Sequence, residues 1–406
     1  MSGILHLGHA PGLYCFGVKT LALLLALLAQ AQQSPQAPQA APPASLKTTL
    51  HQLREQYNEH QATFGATPEM ATAKHQLRDW FESRLAGLGE NDDTEALSLG
   101  LHEGLESAGL ICTDFRVECV DSLLGYVDDI RVEREGPFLT VVTATGIWCG
   151  YDESAYVYAW DGRQWRRVWE HEQNTYTQPG YLPQTIHDVQ VSAPGANRER
   201  LIMALGSPAG CGGSFKNLYA RVWRMDADNR LTSVLNWTEY GADGYPPIEG
   251  RVRADDVFIQ FTVGGIADGE GHLAARHFKV DGSGTATQVD PIAGRPHDFV
   301  VEWLGAPWQE SRARSESPSL EPLHAQLYRK DRVGVFPEPT LRCNAGPDLW
   351  QVTTRFYEGP KRYYRVRWKE PYSFTMVGVS EAPYPDCTAI DSRGDSYPDL
   401  LGALLR

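Results

Sequence analysis

The sequence has no apolar run long enough to cross a bilayer, which takes about 20 residues; the run Leu21–Ala29, LALLLALLA, stops at nine. It is short of basic residues, with 37 Lys and Arg against 51 Asp and Glu and a net charge of −14. That balance argues against nucleic acid and anionic membrane surfaces as partners. No Gly-x-Ser-x-Gly elbow for a serine nucleophile is present. Asp268, Glu270, His272 and His277 are the nearest thing to a metal-binding set, but they follow no recognised ligand spacing, so neither a metal nor a cofactor is expected. Cysteine is scarce, seven in 406 residues.

Lys19 precedes the short apolar run and Ala29-Gln30-Ala31 follows it. A basic flank, an apolar stretch of this length and a small-x-small site make residues 1–31 a predicted signal peptide, with Val18 the expected initiator. Its removal would take away one lysine and no acid, leaving a net charge of −15. The product is expected to be secreted or periplasmic, with no integral membrane segment. Six cysteines would remain, Cys112, Cys119, Cys149, Cys211, Cys343 and Cys387. An even count in an exported chain points to disulfides.

Residues 32–45, QQSPQAPQAAPPAS, are rich in Gln, Ala and Pro and read as a disordered linker. Residues 46–110 read as helical. Leu46, Leu50, Leu53 and Tyr57 form one apolar stripe, Leu77, Phe81, Leu85 and Leu88 a second, and Leu97, Leu101 and Leu105 a third. Thr67-Pro68 starts the second helix, and Asn91-Asp92-Asp93 supplies caps for the third. This segment is expected to cover one side of a β domain spanning residues 111–390, with a tail over 391–406.

The β domain is organised around Pro137–Glu170. Two alternating strands flank Asp161-Gly162-Arg163-Gln164, which suits a two-residue type II′ turn. The expected register sets Trp160 opposite Trp165, Tyr158 opposite Arg167 and Tyr156 opposite Trp169, on one face, with Val157, Ala159 and Val168 on the other. Both faces are apolar, so the sheet needs neighbours on both sides.

Looser copies recur at Leu218–Trp237, Ala275–Val289 and Tyr363–Val379, each preceded by a further strand. Aligned on the last apolar residue before the turn, they fall at Trp160, Trp223, Val280 and Trp368, spaced by 63, 57 and 88 residues. Asp128–Arg134 and His187–Ser192 are corresponding entry strands. Repetition of this kind predicts a mainly β, propeller-like fold of repeated antiparallel sheet units, about four blades, with an N-terminal helical segment. A β-sandwich is the alternative. An insertion over 296–330 swells the last spacing: His297–Leu304 after Pro296 is expected to be a short helix, and Gln309–Pro322 an exposed loop.

Cys149 and Cys211 occupy the same loop of successive units and are expected to be bridged. Cys112 with Cys119 and Cys343 with Cys387 are the simplest remaining pairs, with Cys119 to Cys387 the alternative. The loops GIWCGYDES, GSPAGCGGS and GGIADGEGH (146–154, 206–214 and 264–272) are Gly-rich but lead into strands, so they lack the helix N-terminus a phosphate cradle needs. On one face they would gather Trp148, Tyr151, Asp152, Glu153, Asp268, Glu270 and His272, the candidate ligand-binding residues. The expected function is an exported binding module for an unknown protein or glycan. The alternative is a glycan hydrolase working through paired loop carboxylates. No catalytic constellation assembles from the sequence.

Overall fold

The computed structural model describes residues 41–60, 68–111, 125–147, 150–174, 183–209, 215–243, 248–263, 272–329, 335–337, 339–356, 360–369, 371–390, 400 and 402. The run TDFRVECV at 113–120, whose alternation reads as a first strand of the β domain, lies outside them, as do the expected signal peptide and most of the linker.

Three helices come first: α1 (Ala44–His60), α2 (Pro68–Leu85) and α3 (Thr94–Ser107). Leu46, Leu50 and Leu53 of α1, Leu77, Phe81 and Leu85 of α2, and Leu101 and Leu105 of α3 share one core. Asp93 caps α3, its side chain accepting from the Glu95 and Ala96 amides, the usual way to satisfy orphan donors at a helix start.

Four antiparallel units follow, each a run of four neighbouring strands. Unit 1 is β1 (Val127–Glu135), β2 (Phe138–Ile147), β3 (Gly150–Trp160) and β4 (Trp165–His171). Unit 2 is β5 (Gln184–Val191), β6 (Arg200–Pro208), β7 (Phe215–Met225) and β8 (Leu231–Asp243). Unit 3 is β9 (Ile248–Val252), β10 (Asp256–Val263), β11 (His272–Val280) and β12 (Ala286–Val289). The pair Val263–Ala242 links units 2 and 3 into one ladder. Unit 4 is β14 (Leu341–Cys343), β15 (Leu349–Phe356), β16 (Lys361–Lys369) and β17 (Ser373–Ser380), with β13 (Val335–Pro337) added to β15 and β18 (Cys387–Ile390) to β14. The fold is thus mainly β and propeller-like, with four antiparallel units among the described residues and an N-terminal helical segment.

The irregularities repeat as well as the strands. The entry strands β1 and β5 each carry one extra residue, Asp128 and His187, at the same aligned position. In units 1 and 4 a second bulge falls three residues before the landmark Trp, leaving Val168 and Val377 unpaired. Bulges re-aim side chains and tighten twist, so sharing them ties the units together as copies.

The bulge at Val168 also corrects the expected register. Trp160 faces Trp165 and Tyr158 faces Arg167 as anticipated, but Tyr156 faces Glu170, and Trp169 pairs with Val157. One extra residue turns Trp169 to the opposite face. Gly162 has the positive φ the turn needs, 91°; Asp161 N–H donates to Gln164 O at 3.1 Å, and the Asp161 carboxylate accepts from the amides of Arg163 and Gln164.

Shared cores run through the chain in sequence. Tyr156, Tyr158 and Trp165 of unit 1 pack under the helices, so the helical segment covers the outer face of the first sheet. The other face, with Val157 and Trp169, packs on Ile186, Ile202 and Ala204 of unit 2. Unit 2 meets unit 3 through Leu205, Val222, Ile259 and Phe261. Between units 3 and 4 sits α4 (Pro296–Gly305), all ten of whose residues are buried; Phe299, Val300, Trp303 and Leu304 pack with Val352, Tyr364 and Met376 of unit 4. Its buried acids have partners: Asp298 pairs with Arg295 and Glu302 with Arg276.

The expected loop over Gln309–Pro322 is instead α5 (Trp308–Ala313), a 3-10 turn (Pro318–Leu320) capped by Ser317, and the start of α6 (Glu321–Leu327). Its charged composition hid the few residues that anchor it: Leu320 and Leu327 are buried, and the Ser311 hydroxyl donates to Trp303 O at 2.8 Å. Cys343 and Cys387 form a disulfide, as expected, which removes the Cys119–Cys387 alternative. The other four cysteines lie outside the described residues.

Candidate functional site

Of the seven candidate ligand-binding residues, Trp148, Asp268 and Glu270 lie outside the described residues. Tyr151, Asp152 and Glu153 belong to β3 rather than to a loop, opposite Gly146, Thr145 and Ala144. Consecutive strand residues point to opposite faces, so Asp152 and Glu153 do not form a carboxyl pair. Asp152 turns towards the helices, where Lys74 Nζ of α2 lies 3.1 Å from its Oδ2; both side chains are buried. Lys74 also donates to Gln173 O at 3.2 Å. Glu153 turns towards unit 2 and accepts from the Ile186 amide. The two acids dock the first sheet to its neighbours on either side, and the sequence placed them instead on solvated loops.

Around them runs a polar network that sequence reasoning missed. Glu172, its side chain shielded from solvent, meets His75 Nε2 at 2.8 Å, Arg78 Nη1 at 3.4 Å and the Tyr156 hydroxyl. Glu82 accepts from Tyr158 Oη and Arg167 Nη1, both at 2.9 Å. Tyr219 Oη donates to Gln184 Oε1 at 3.0 Å and lies 3.2 Å from His171 Nε2. Lys74, Arg78 and Glu82 recur every four residues along α2, a polar stripe beside its leucines that was the available signal. Gly206 is explained by the same region: a Cβ there would collide with the Tyr219 hydroxyl and with Thr185 O.

Two groups in this junction titrate in opposite senses. Burial, against the opposing Ile186 hydrogen bond, lifts the Glu153 carboxyl to about 7 from 4.5. Burial, then the charges of Arg221 and Lys74, lowers His171 to about 4 from 6.5. Protonated Glu153 therefore favours the fold at low pH, an effect lost as pH rises through about 7. Neutral His171 favours it above about 6.5, an effect lost as pH falls through about 4. Each amounts to roughly 2–3 kcal/mol over its window, and between them they flatten the pH profile. Relative to wild type, Glu153→Gln gains melting temperature from about pH 4.5 to about pH 7.5, whereas His171→Gln loses it. Variants that track the wild-type curve in parallel would contradict both assignments.

An open concavity among the described residues lies elsewhere. A cleft of about 320 Å³ sits where unit 2, unit 3 and the insertion meet, lined by Trp237, Thr238 and Glu239 of β8, Arg276 of β11, Gln288 of β12, Glu302 of α4, Glu310 of α5, Arg314 and Tyr328. The strand period of two sets His272, Ala274, Arg276 and Phe278 on one face of β11. Arg276 Nη2 then lies 2.6 Å from Glu239 Oε2 and 2.6 Å from Glu302 Oε2. His272 Nε2 approaches Glu302 Oε1 at 2.9 Å, so the seventh candidate residue is buried against a residue of the cleft wall. Burial alone would weaken the charge on Arg276; Glu239 and then Glu302 outweigh it and hold the guanidinium more firmly protonated. Trp237 rests against Phe261 and Phe278, with centroids 5.8 and 6.2 Å apart. Among the described residues, the His, Cys, Asp and Glu atoms close enough to share a metal ion are those of Cys343, Asp386 and Cys387, and there the two sulfurs are already bonded to each other.

No protein-family model matches the chain, and no curated protein matches it. Among solved structures it is similar to the GH32 beta-fructofuranosidase BmSUC1 of Bombyx mori, at 10% identity over 63% of this chain and 50% of that one, TM-score 0.25. It is similar also to an alpha-L-arabinofuranosidase of Clostridium thermocellum, at 8% identity over 64% of this chain and 74% of that one, TM-score 0.24. The matched region spans half of the first of these proteins. Likeness at this level carries no argument about what the chain does.

Proposed function

We propose that the chain is an exported binding module that holds a small hydroxylated ligand, free or as part of a glycan, in the cleft between unit 2, unit 3 and the helical insertion. The observation that carries this reading is Arg276, seated within 2.6 Å of both Glu239 and Glu302. A glycosidase keeps one carboxyl protonated and leaves the space between its two acids for the scissile bond. Here a guanidinium fills that space and ties both acids to itself, which suits recognition rather than proton transfer. Trp237 and Tyr328 add aromatic surface, and Thr238 and Gln288 add hydrogen-bonding groups, the mixture expected of a small-molecule site. Export is supported by the Cys343–Cys387 disulfide. Among the described residues, no helix is long and apolar enough to cross a membrane.

A thermal-shift screen of sugars and short oligosaccharides tests the proposal, because a specific ligand raises the melting temperature, by about 2.7 kcal/mol of stability at 100 times its Kd. The expected result is a shift without turnover, weakened by Glu239→Gln. Hydrolysis of a polysaccharide that Glu239→Gln or Glu302→Gln abolishes while binding persists would establish the hydrolase instead.

A further inference from the structure

We propose, resting on the cleft as the ligand site, that His324 is a proton-sensitive latch: neutral, it holds the insertion that walls the cleft, and on protonation it lets that wall loosen and the ligand go. Ala306, Pro307, Glu310 and Tyr328 of the wall all belong to the insertion, and the insertion closes around one imidazole. His324 lies on α6 and is 2% exposed. Its ring meets Trp303 of α4 edge-on at 4.6 Å, Trp308 of α5 at 5.4 Å and Tyr328 at 5.8 Å. Its Nε2 lies 3.0 Å from the Trp303 carbonyl. A carbonyl only accepts, so the neutral ring carries its proton on Nε2. The backbone closes the same joint: Tyr328 N–H donates to His324 O at 2.8 Å, and Arg329 N–H donates to Leu304 O at 2.9 Å.

A second proton makes this packing costly, because it places a cation among three aromatic rings. Burial opposes the charge, and the carbonyls of Trp303 and Ala306, which favour it, offset only part of that. The ring is therefore held below its usual 6.5. On these helices Glu302, Glu310, Arg312 and Glu321 are the charged groups nearest in sequence to the contacts, and Tyr328 is the titratable group against the ring; the ring's charge is set by burial and the two carbonyls. The sign follows. The packed state is favoured in full above about 6.5, and that preference is lost as pH falls from there through the lowered value. What loosens is the stretch that carries Tyr328 to the cleft and ties it to α4.

Hydrogen exchange of the full chain from about pH 7.5 to about pH 5, corrected for the intrinsic pH dependence of exchange, tests the latch without a ligand. The Tyr328 and Arg329 amides are expected to lose protection by up to roughly tenfold per pH unit below about 6.5, while β2 of unit 1 keeps its own. In His324→Gln, which retains a donor for the Trp303 carbonyl but cannot gain a proton, the same amides are expected to show no such dependence. His324→Phe, which keeps the ring contacts, gives the same comparison from an apolar replacement. Protection that stays flat or rises on acidification in the wild-type chain overturns the latch, and so does a fall that persists in both variants. A sugar panel that stays silent while the pH response stands overturns the binding-module reading alone.

Discussion

Replacing Lys74 by Met lowers the stability of the chain by about 3–5 kcal/mol, because it leaves the Asp152 carboxylate buried without its cation. Lys74 reaches from α2 into the first sheet, and neither partner is more than 1% exposed. An ammonium in that position attracts Asp152 and the Gln173 carbonyl together. Urea denaturation of Lys74→Met and of Lys74→Met with Asp152→Asn separates two meanings of such a pair. The double variant is expected to recover much of the loss, because a neutral amide can be buried where an unpaired carboxylate cannot. A loss below about 1 kcal/mol, the size of an exposed pair, would mean that water reaches Asp152 and that α2 is not docked as described.

Trp303→Ala costs about 3–5 kcal/mol through the cavity it leaves. Trp303 is 1% exposed and stands at the centre of the insertion. Its indole N–H donates to Ser315 Oγ at 2.9 Å, and its ring meets His324 edge-on at 4.6 Å. Its carbonyl accepts from Ser311. Residues 315 and 316 in turn run alongside Met376 of β17, so truncation loosens the joint between units 3 and 4. Hydrogen exchange should accelerate first in α4, α5 and unit 4, while unit 1 stays protected. Uniform acceleration across all four units would show that the insertion is not a separate joint.

The strands of the four units were legible because their signal is local: alternation, a turn residue with the right φ, and an aromatic at a fixed place. The bulge at Val168 was not, since the run Trp165–His171 alternates equally well in either register and packing against unit 2 decides which face Trp169 takes. The roles of Asp152 and Glu153 were partly legible. Adjacent positions on a strand already forbid a shared face, but that they are buried depends on Lys74 and Ile186, which are distant in sequence. The cleft was not legible at all. Arg276 and Glu239 are 37 residues apart, and each looks like an ordinary surface charge until β8, β11 and α4 converge. His272 was singled out beside Asp268 and Glu270, which lie outside the described residues; its contact with Glu302, 30 residues on, had no local signal.

Non-reducing peptide mapping of the chain tests most directly the claim that neighbouring units are copies stacked side by side. Cys149 and Cys211 occupy the β2–β3 and β6–β7 connections of successive units. The account predicts a peptide joining Cys149 to Cys211 alongside the Cys343–Cys387 bridge. A peptide joining Cys149 to Cys343 or Cys387 would contradict it, since those two cysteines are bonded to each other.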